Sequence, residues 1–349
     1  MTNCKVASQV ARGLLTLSLA ATVLSACGSS DEDAADQGDA NGGGQVTVYT
    51  GRHYGIEEVF EQFTTDTGIE VRFTTGKDPE LRERLVEEGA NTPADLLMTA
   101  DAANVELAAE AGVLKEIDSP ALEAAIPASL RSADNNWFGL SRRARVVVAS
   151  TERVDDPPTT YEEVGDPKWK GRLCLRPSTH PYTQSLVASL IIANGNAAAT
   201  ETVASWVAND PLYIDSDTDI YEAIAAGDCD VALANTYYLG RLLEEDPEFP
   251  AAISWPNQDE RGAHVNLSTA AVTANGPNQK GAQRLLEWLA TDGQQAFSDA
   301  NFEYPADPSV DPAEIVGSWG TFKSDLDAIL QLGEFQPDAV KVLSATGYE

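Results

Sequence analysis

Apolar residues along the chain recur at two spacings, and the spacings alternate. Gln45–Thr50 puts Val46 and Val48 on one side of an extended segment, which predicts a strand. Ile56–Asp66 carries its apolar residues at helical intervals, and Ile69–Thr74 returns to a strand. A charged helix over Pro79–Glu88, a strand over Asp95–Met98 and an Ala-rich helix over Ala102–Ala111 follow. The middle repeats the rhythm: strand Arg172–Arg176, helices Tyr182–Ala193, Thr200–Ala208 and Asp219–Ala226, then strand Asp230–Ala234. Strand alternating with helix predicts an α/β fold, a parallel sheet covered by helices. Ala144–Ser150 and His264–Thr273 are extended, apolar and flank the middle block, so they are expected to cross between two lobes. The last third predicts helices Gln279–Ala290, Gly293–Asp299 and Ser318–Leu332.

In open α/β sheets ligands bind beyond the carboxyl ends of the strands. Three such ends carry tyrosine. The first strand runs into Gly51-Arg52-His53-Tyr54, the strand at Cys174 into Pro177-Ser178-Thr179-His180-Pro181-Tyr182, and the strand at Val231 into Asn235-Thr236-Tyr237-Tyr238. A phenolate is a hard anionic donor whose proton leaves near neutral pH only for a highly charged hard cation, which favours Fe(III) over zinc or copper(I). Adjacent tyrosines in mid-helix diverge by about 100°, so Tyr237 and Tyr238 can share an ion only at a turn or first helical turn. Asn235-Thr236 fits such a start. On spacing alone, core packing is the competing role for these rings.

The N-terminus reads as an export signal: Lys5 and Arg12, then an apolar run from Leu14 to Leu24, too short for a membrane span. Leu24-Ser25-Ala26-Cys27 resembles the lipobox of bacterial lipoproteins, which implies cleavage before Cys27 and a diacylglycerol on its sulfur. Gly28–Gly44 has no aromatic or β-branched residue and is expected to be a flexible tether. Cys174 and Cys229 are the cysteines left over, and outside the cytosol such a pair is more often a disulfide than a metal site. The net charge of −32 repels nucleic acid and becomes more negative once Lys5 and Arg12 leave. Without the leader the 349-residue chain still exceeds what one typical core accommodates, so two lobes are expected.

Hydrolase and ATPase signatures are missing: no Gly-x-Ser-x-Gly, no Walker A loop, no His-Glu-x-x-His. No pair stands out among the 55 acidic residues as glycosidase carboxylates. A secreted hydrolase is therefore the remote alternative to a binding protein.

From about Val46 onward the chain resembles the ferric-iron-binding solute-binding proteins of ABC transporters, in particular their tyrosine-rich, cyanobacterial type. Carrying the resemblance are Gly51-Arg52-His53-Tyr54, Gly89-Ala90-Asn91-Thr92-Pro93-Ala94-Asp95, Trp137-Phe138-Gly139 with Arg142-Arg143-Ala144-Arg145, Asp166-Pro167-Lys168-Trp169-Lys170-Gly171-Arg172, Gln184–Leu190 and Ala234-Asn235-Thr236-Tyr237-Tyr238-Leu239-Gly240-Arg241. The resemblance implies a class II periplasmic binding protein fold, with two Rossmann-like lobes joined by crossing hinge strands. It implies an N-lobe of residues 45–141 and 267–316 and a C-lobe of 142–266 and 317–349, behind a signal peptide (1–26) and lipidated linker (27–44). It also implies iron ligation by Tyr54, Tyr182, Tyr237 and Tyr238, with His53 as a candidate fifth ligand. Arg143 and Arg241 would balance the phenolate charge or hold a synergistic carbonate, and His180 is a ligand, an outer partner or surface. His264 is expected near the site or packed at the hinge. The implied cargo is Fe(III), with Fe(II) left open. The implied partners are a permease and its ATPase, and the protein is expected to be a monomer. A polyamine, thiamine, phosphonate or other oxyanion is the alternative solute on the same fold.

Overall fold

The computed structural model describes residues 43–349. The expected signal peptide, the expected lipidation at Cys27 and nearly all of the expected linker lie outside the described residues. Strands are β1 (Gln45–Thr50), β2 (Glu70–Thr75), β3 (Leu96–Thr99), β4 (Phe138–Ser150), β5 (Leu173–Leu175), β6 (Leu212–Tyr213), β7 (Val231–Asn235), β8 (Ala251–Ser254), β9 (Ala263–Val272), β10 (Tyr304–Pro305) and β11 (Ser324–Asp325). Helices are α1 (Ile56–Thr67), α2 (Asp78–Glu88), α3 (Ala102–Glu110), α4 (Pro120–Ala125), α5 (Pro181–Ala208), α6 (Asp217–Ala226), α7 (Thr236–Glu245), α8 (Gln279–Ala290), α9 (Gln294–Asp299), α10 (Glu314–Ser318) and α11 (Leu332–Thr346).

Hydrogen bonding links the main strands in the order β2-β1-β3-β9-β4-β7-β5-β6. β1 pairs in parallel with β2 and β3, and β5 pairs in parallel with β6 and β7. These two parallel groups are the βα units expected from the sequence. Between them run β4 and β9, the two stretches expected to cross. β4 changes partner along its length. From Phe138 to Ala144 it pairs antiparallel with β9, and from Arg145 to Ala149 antiparallel with β7. One strand therefore begins in one half of the sheet and ends in the other.

Side-chain alternation on β4 serves both faces of the second half-sheet. Val146 and Val148 join the larger apolar cluster, which includes Phe63, Trp137 and Phe297. Val147 and Ala149 face a second cluster in which α5 and α11 bury Leu186, Val187, Val342 and Leu343. α5 is two helical stretches joined at the non-helical Gly195, where the sequence reading also placed a break.

Two expectations need correction. β4 starts six residues before Ala144, because Arg143 and Arg145 are buried beside carboxylates and their charge does not mark exposed chain. The helix expected over Ser318–Leu332 is not formed. Trp319, Phe322, Leu326 and Ile329 have helical spacing, but Phe322 stacks on Trp255 at 3.9 Å and Ser324–Asp325 pairs with Ala263–His264 of β9. The helix lies further on, as α11.

Cys174 in β5 and Cys229 just before β7 form a disulfide, with Cα atoms 5.9 Å apart and 55 residues of separation. The bridge closes a loop containing α5 and α6, so it restricts the unfolded chain. Reduction, or replacement of both cysteines by Ala, is expected to cost about 2–4 kcal/mol of unfolding free energy, read from guanidinium unfolding with and without a thiol.

Candidate metal centre

Two helix starts bring three phenols together. α5 opens with His180 at its N-cap and Pro181 at the first position; the His180 ring nitrogen accepts from the Tyr182 backbone N–H at 3.2 Å. Tyr182 is thus the second residue of that helix. α7 opens at Thr236 directly after β7, so Tyr237 and Tyr238 are its second and third residues. The expected start at Asn235-Thr236 is present, although Asn235 caps with its backbone only. Its side-chain oxygen accepts from Arg145 Nη1 at 3.3 Å. Free N–H groups at such starts favour anionic oxygen nearby.

The hydroxyls of Tyr182 and Tyr237 lie 3.0 Å apart. The rings of Tyr237 and Tyr238 have centroids 4.2 Å apart. Tyr54, on the turn between β1 and α1, is 38% exposed, so the cluster is open on its side. Its ring faces the Arg241 guanidinium at 3.7 Å, and the same guanidinium lies 5.3 Å from the Tyr237 ring and 5.7 Å from the Tyr238 ring. All four tyrosines named from the sequence therefore converge, with a cation among them.

Burial, then the neighbouring Tyr182 and Tyr238, pushes the Tyr237 hydroxyl well above the ordinary phenol value of 10.0, and Arg143 pulls it down only in part. Burial and Tyr182 push Tyr238 up as well. Without a cation between them these phenols keep their protons. Among the described residues no group of three or more His, Cys, Asp or Glu is placed to hold a metal.

The surrounding cations are themselves held. Arg143 reaches Ser268 at 3.4 Å and Glu303 at 3.9 Å and donates to the Ala100 carbonyl. Arg241 donates to Asn301, which in turn donates to Glu303 at 2.5 Å. Burial would raise the Glu303 carboxyl, but Arg52 and Arg143 outweigh it and keep the group below the usual range.

Of the histidines, His53 is exposed and lies against the Tyr54 ring at 4.1 Å. His180 packs edge-on to Tyr182, and His264 is buried with its Nε2 3.0 Å from Ser185 Oγ. A small cavity beside Tyr182 is lined by Arg143, Arg145, Ser185, Asn235, His264 and Asn266.

The family of bacterial extracellular solute-binding proteins matches residues 58–323, most of the chain. The chain belongs to that family. This solute-binding protein is 40% identical to iron uptake protein A1 of Synechocystis over 96% of this chain and 95% of that one. It is 29% identical to the major ferric iron-binding protein of Neisseria meningitidis over 76% and 82% of the two chains. The Trichodesmium protein IdiA (FutA), solved in complex with iron and citrate ligands, superposes with a TM-score of 0.80 at 38% identity, covering 87% of this chain and 100% of that one. The fold is the two-lobed binding-protein fold, and the chain is an exported binding protein rather than an enzyme.

Sequence reasoning missed Arg145, Asp217, Asn301 and Glu303. Arg145 is ion-paired to the buried Asp217 at 2.8 Å and faces the Tyr182 ring at 5.9 Å. Strand alternation from Arg143 was the available signal, since residues two apart on a strand share a face. Nothing local marks Asn301 and Glu303, which reach the centre only through the fold.

Burial, then Arg145 and Arg261, pushes the His264 imidazole down to about 3. Its unfolded counterpart takes a proton near the ordinary 6.5. Stability from this group is present above about pH 6.5 and lost as pH falls toward 3, with a slope of up to about 1.4 kcal/mol per pH unit. In metal-free protein, His264→Gln is expected to remove that slope between about pH 6 and pH 4, measured by urea unfolding across the range.

Proposed function

We propose that the protein captures ferric iron outside the cell through the phenolates of Tyr54, Tyr182, Tyr237 and Tyr238 and delivers it to an ABC permease driven by its ATPase subunit. The observation that carries this reading is the 3.0 Å approach of the Tyr182 and Tyr237 hydroxyls at two helix starts. Two oxygens so close share one proton or one cation, and a trivalent ion is what displaces the protons of buried phenols. The iron uptake and ferric iron-binding names of the relatives, and the iron and citrate in the Trichodesmium protein, support the same cargo.

Four phenolates and Fe(III) sum to one negative charge, which Arg143 and Arg241 offset. The same two cations are suited to a synergistic anion, carbonate or a carboxylate of the citrate kind. His53, beside Tyr54, is the candidate fifth ligand, and His180 is an outer partner that sets the start of α5. A polyamine is disfavoured, because Arg143, Arg145 and Arg241 occupy the positions a polycation would need.

The lobes are proposed as residues 45–141 with 267–316, and 142–266 with 317–349. The packing of α11 on α5 and the change of partner along β4 support that division. Iron drawn in by Tyr54 from one lobe and three tyrosines from the other would close the cleft. Cys27 is proposed as the lipid anchor holding the protein to the outer face of the membrane.

Adding Fe(III) to metal-free protein is expected to produce a visible tyrosinate-to-iron charge-transfer band. Tyr182→Phe and Tyr237→Phe should each weaken affinity by more than about 100-fold, beyond the loss typical of outer partners. Because ligation releases phenol protons, the band should bleach as pH falls from about 7 to about 4; a band unchanged over that interval contradicts phenolate ligation. Cys27→Ala should move the protein from the membrane fraction to the soluble fraction.

A further inference from the structure

The tyrosines come from three segments far apart in sequence, and one short stretch touches two of them, the turn after β1 and α7. Ala300 packs on Gly55, the residue after Tyr54: a Cβ at position 55 would lie 2.8 Å from the Ala300 Cβ and 2.9 Å from its carbonyl oxygen. Phe302 packs on Gly240 of α7, one turn beyond Tyr237: a Cβ there would lie 2.6 Å from the Phe302 Cβ and 2.7 Å from its Cγ. Between these two contacts Asn301 accepts from Arg241, and Glu303 binds Arg52 at 3.0 Å and faces Arg143 at 3.9 Å. Four consecutive residues thus meet the turn bearing Tyr54, the helix bearing Tyr237 and Tyr238, and the buried arginines beneath them.

The backbone of this stretch is held in an unusual state. Phe302 has φ 50, a conformation uncommon for a bulky aromatic and kept only where the surroundings fix it. Gly240 lies inside a helix, where Gly is weaker than Ala. Close approach of the Phe302 ring is the physical reason for glycine at that position.

We infer that Ala300-Asn301-Phe302-Glu303 is a positioning strap that sets the separation of Tyr54 from Tyr237 and Tyr238 and so controls how long the metal is retained. The inference rests on the ferric reading above. None of the four residues supplies a ligand. The strap acts on the ligands' carriers, through the fit of Phe302 on Gly240 and the hold of Asn301 on Arg241. Its failure therefore shows in the rate of metal loss while the ligand set, and the spectrum, stay the same.

The test uses iron-loaded full-length protein, with the charge-transfer band followed after mixing with excess chelator. Gly240→Ala and Phe302→Gly should each release iron at least about tenfold faster than the parent, at an unchanged band position. The double variant should release no faster than Phe302→Gly alone, because the added methyl no longer meets a ring. If Gly240→Ala does not fold, refolding of the double variant supports the strap. A double variant that fails to fold where Phe302→Gly folds overturns it, since the methyl then meets something else. Parent-like release in both single variants, or an equal effect of Gly240→Ala in either background, also overturns the strap while leaving the ferric reading in place. A parent protein that forms no band overturns the ferric reading, and the strap falls with it.

Discussion

Tyr182 and Tyr237 meet hydroxyl to hydroxyl at 3.0 Å in a largely buried setting, and much of the surrounding architecture follows from the cost of charging that pair. Burial and the neighbouring Tyr182 and Tyr238 push the Tyr237 hydroxyl well above the ordinary phenol value. The helix starts of α5 and α7 and the guanidiniums of Arg143, Arg145 and Arg241 supply a positive field around the tyrosines.

A cluster of buried arginines is costly unless acids hold it. Glu303 and Asp217 perform that task in two separate frames. Glu303 holds Arg52 and Arg143 below the Tyr54 side, and Asp217 holds Arg145 at 2.8 Å and faces Arg176 at 3.8 Å below the Tyr182 side. Both carboxylates are fully buried, so removing either would strand charge in the interior. The frames keep the guanidiniums near the phenols without letting them fill the place between the hydroxyls.

Much of this was legible in the sequence for a simple reason. Strand–helix alternation is a local signal, and strand ends drew attention to Tyr54, Tyr182, Tyr237 and Tyr238, but spacing left core packing open and it was the family resemblance that named them as ligands. The two crossing strands were visible as apolar runs. The start of β4 was hidden by arginines that look like surface until their partners are known. The stretch after Ser318 misled because its aromatic spacing imitates a helix while its side chains pack on Trp255 and its backbone joins β9. Asn301 and Glu303 had no local mark at all. Their role arises from contacts across 60 or more residues, as between Arg241 and Asn301.

β4 is a single ladder shared by two half-sheets, without a break at the changeover between Ala144 and Arg145. The same strand therefore ties the two halves through its backbone, so a tilt of one half against the other would twist β4 itself. Such a joint would behave as a spring rather than an adhesive seam. On the proposed ferric reading, a ligand drawing the tyrosines together would work against that torsion.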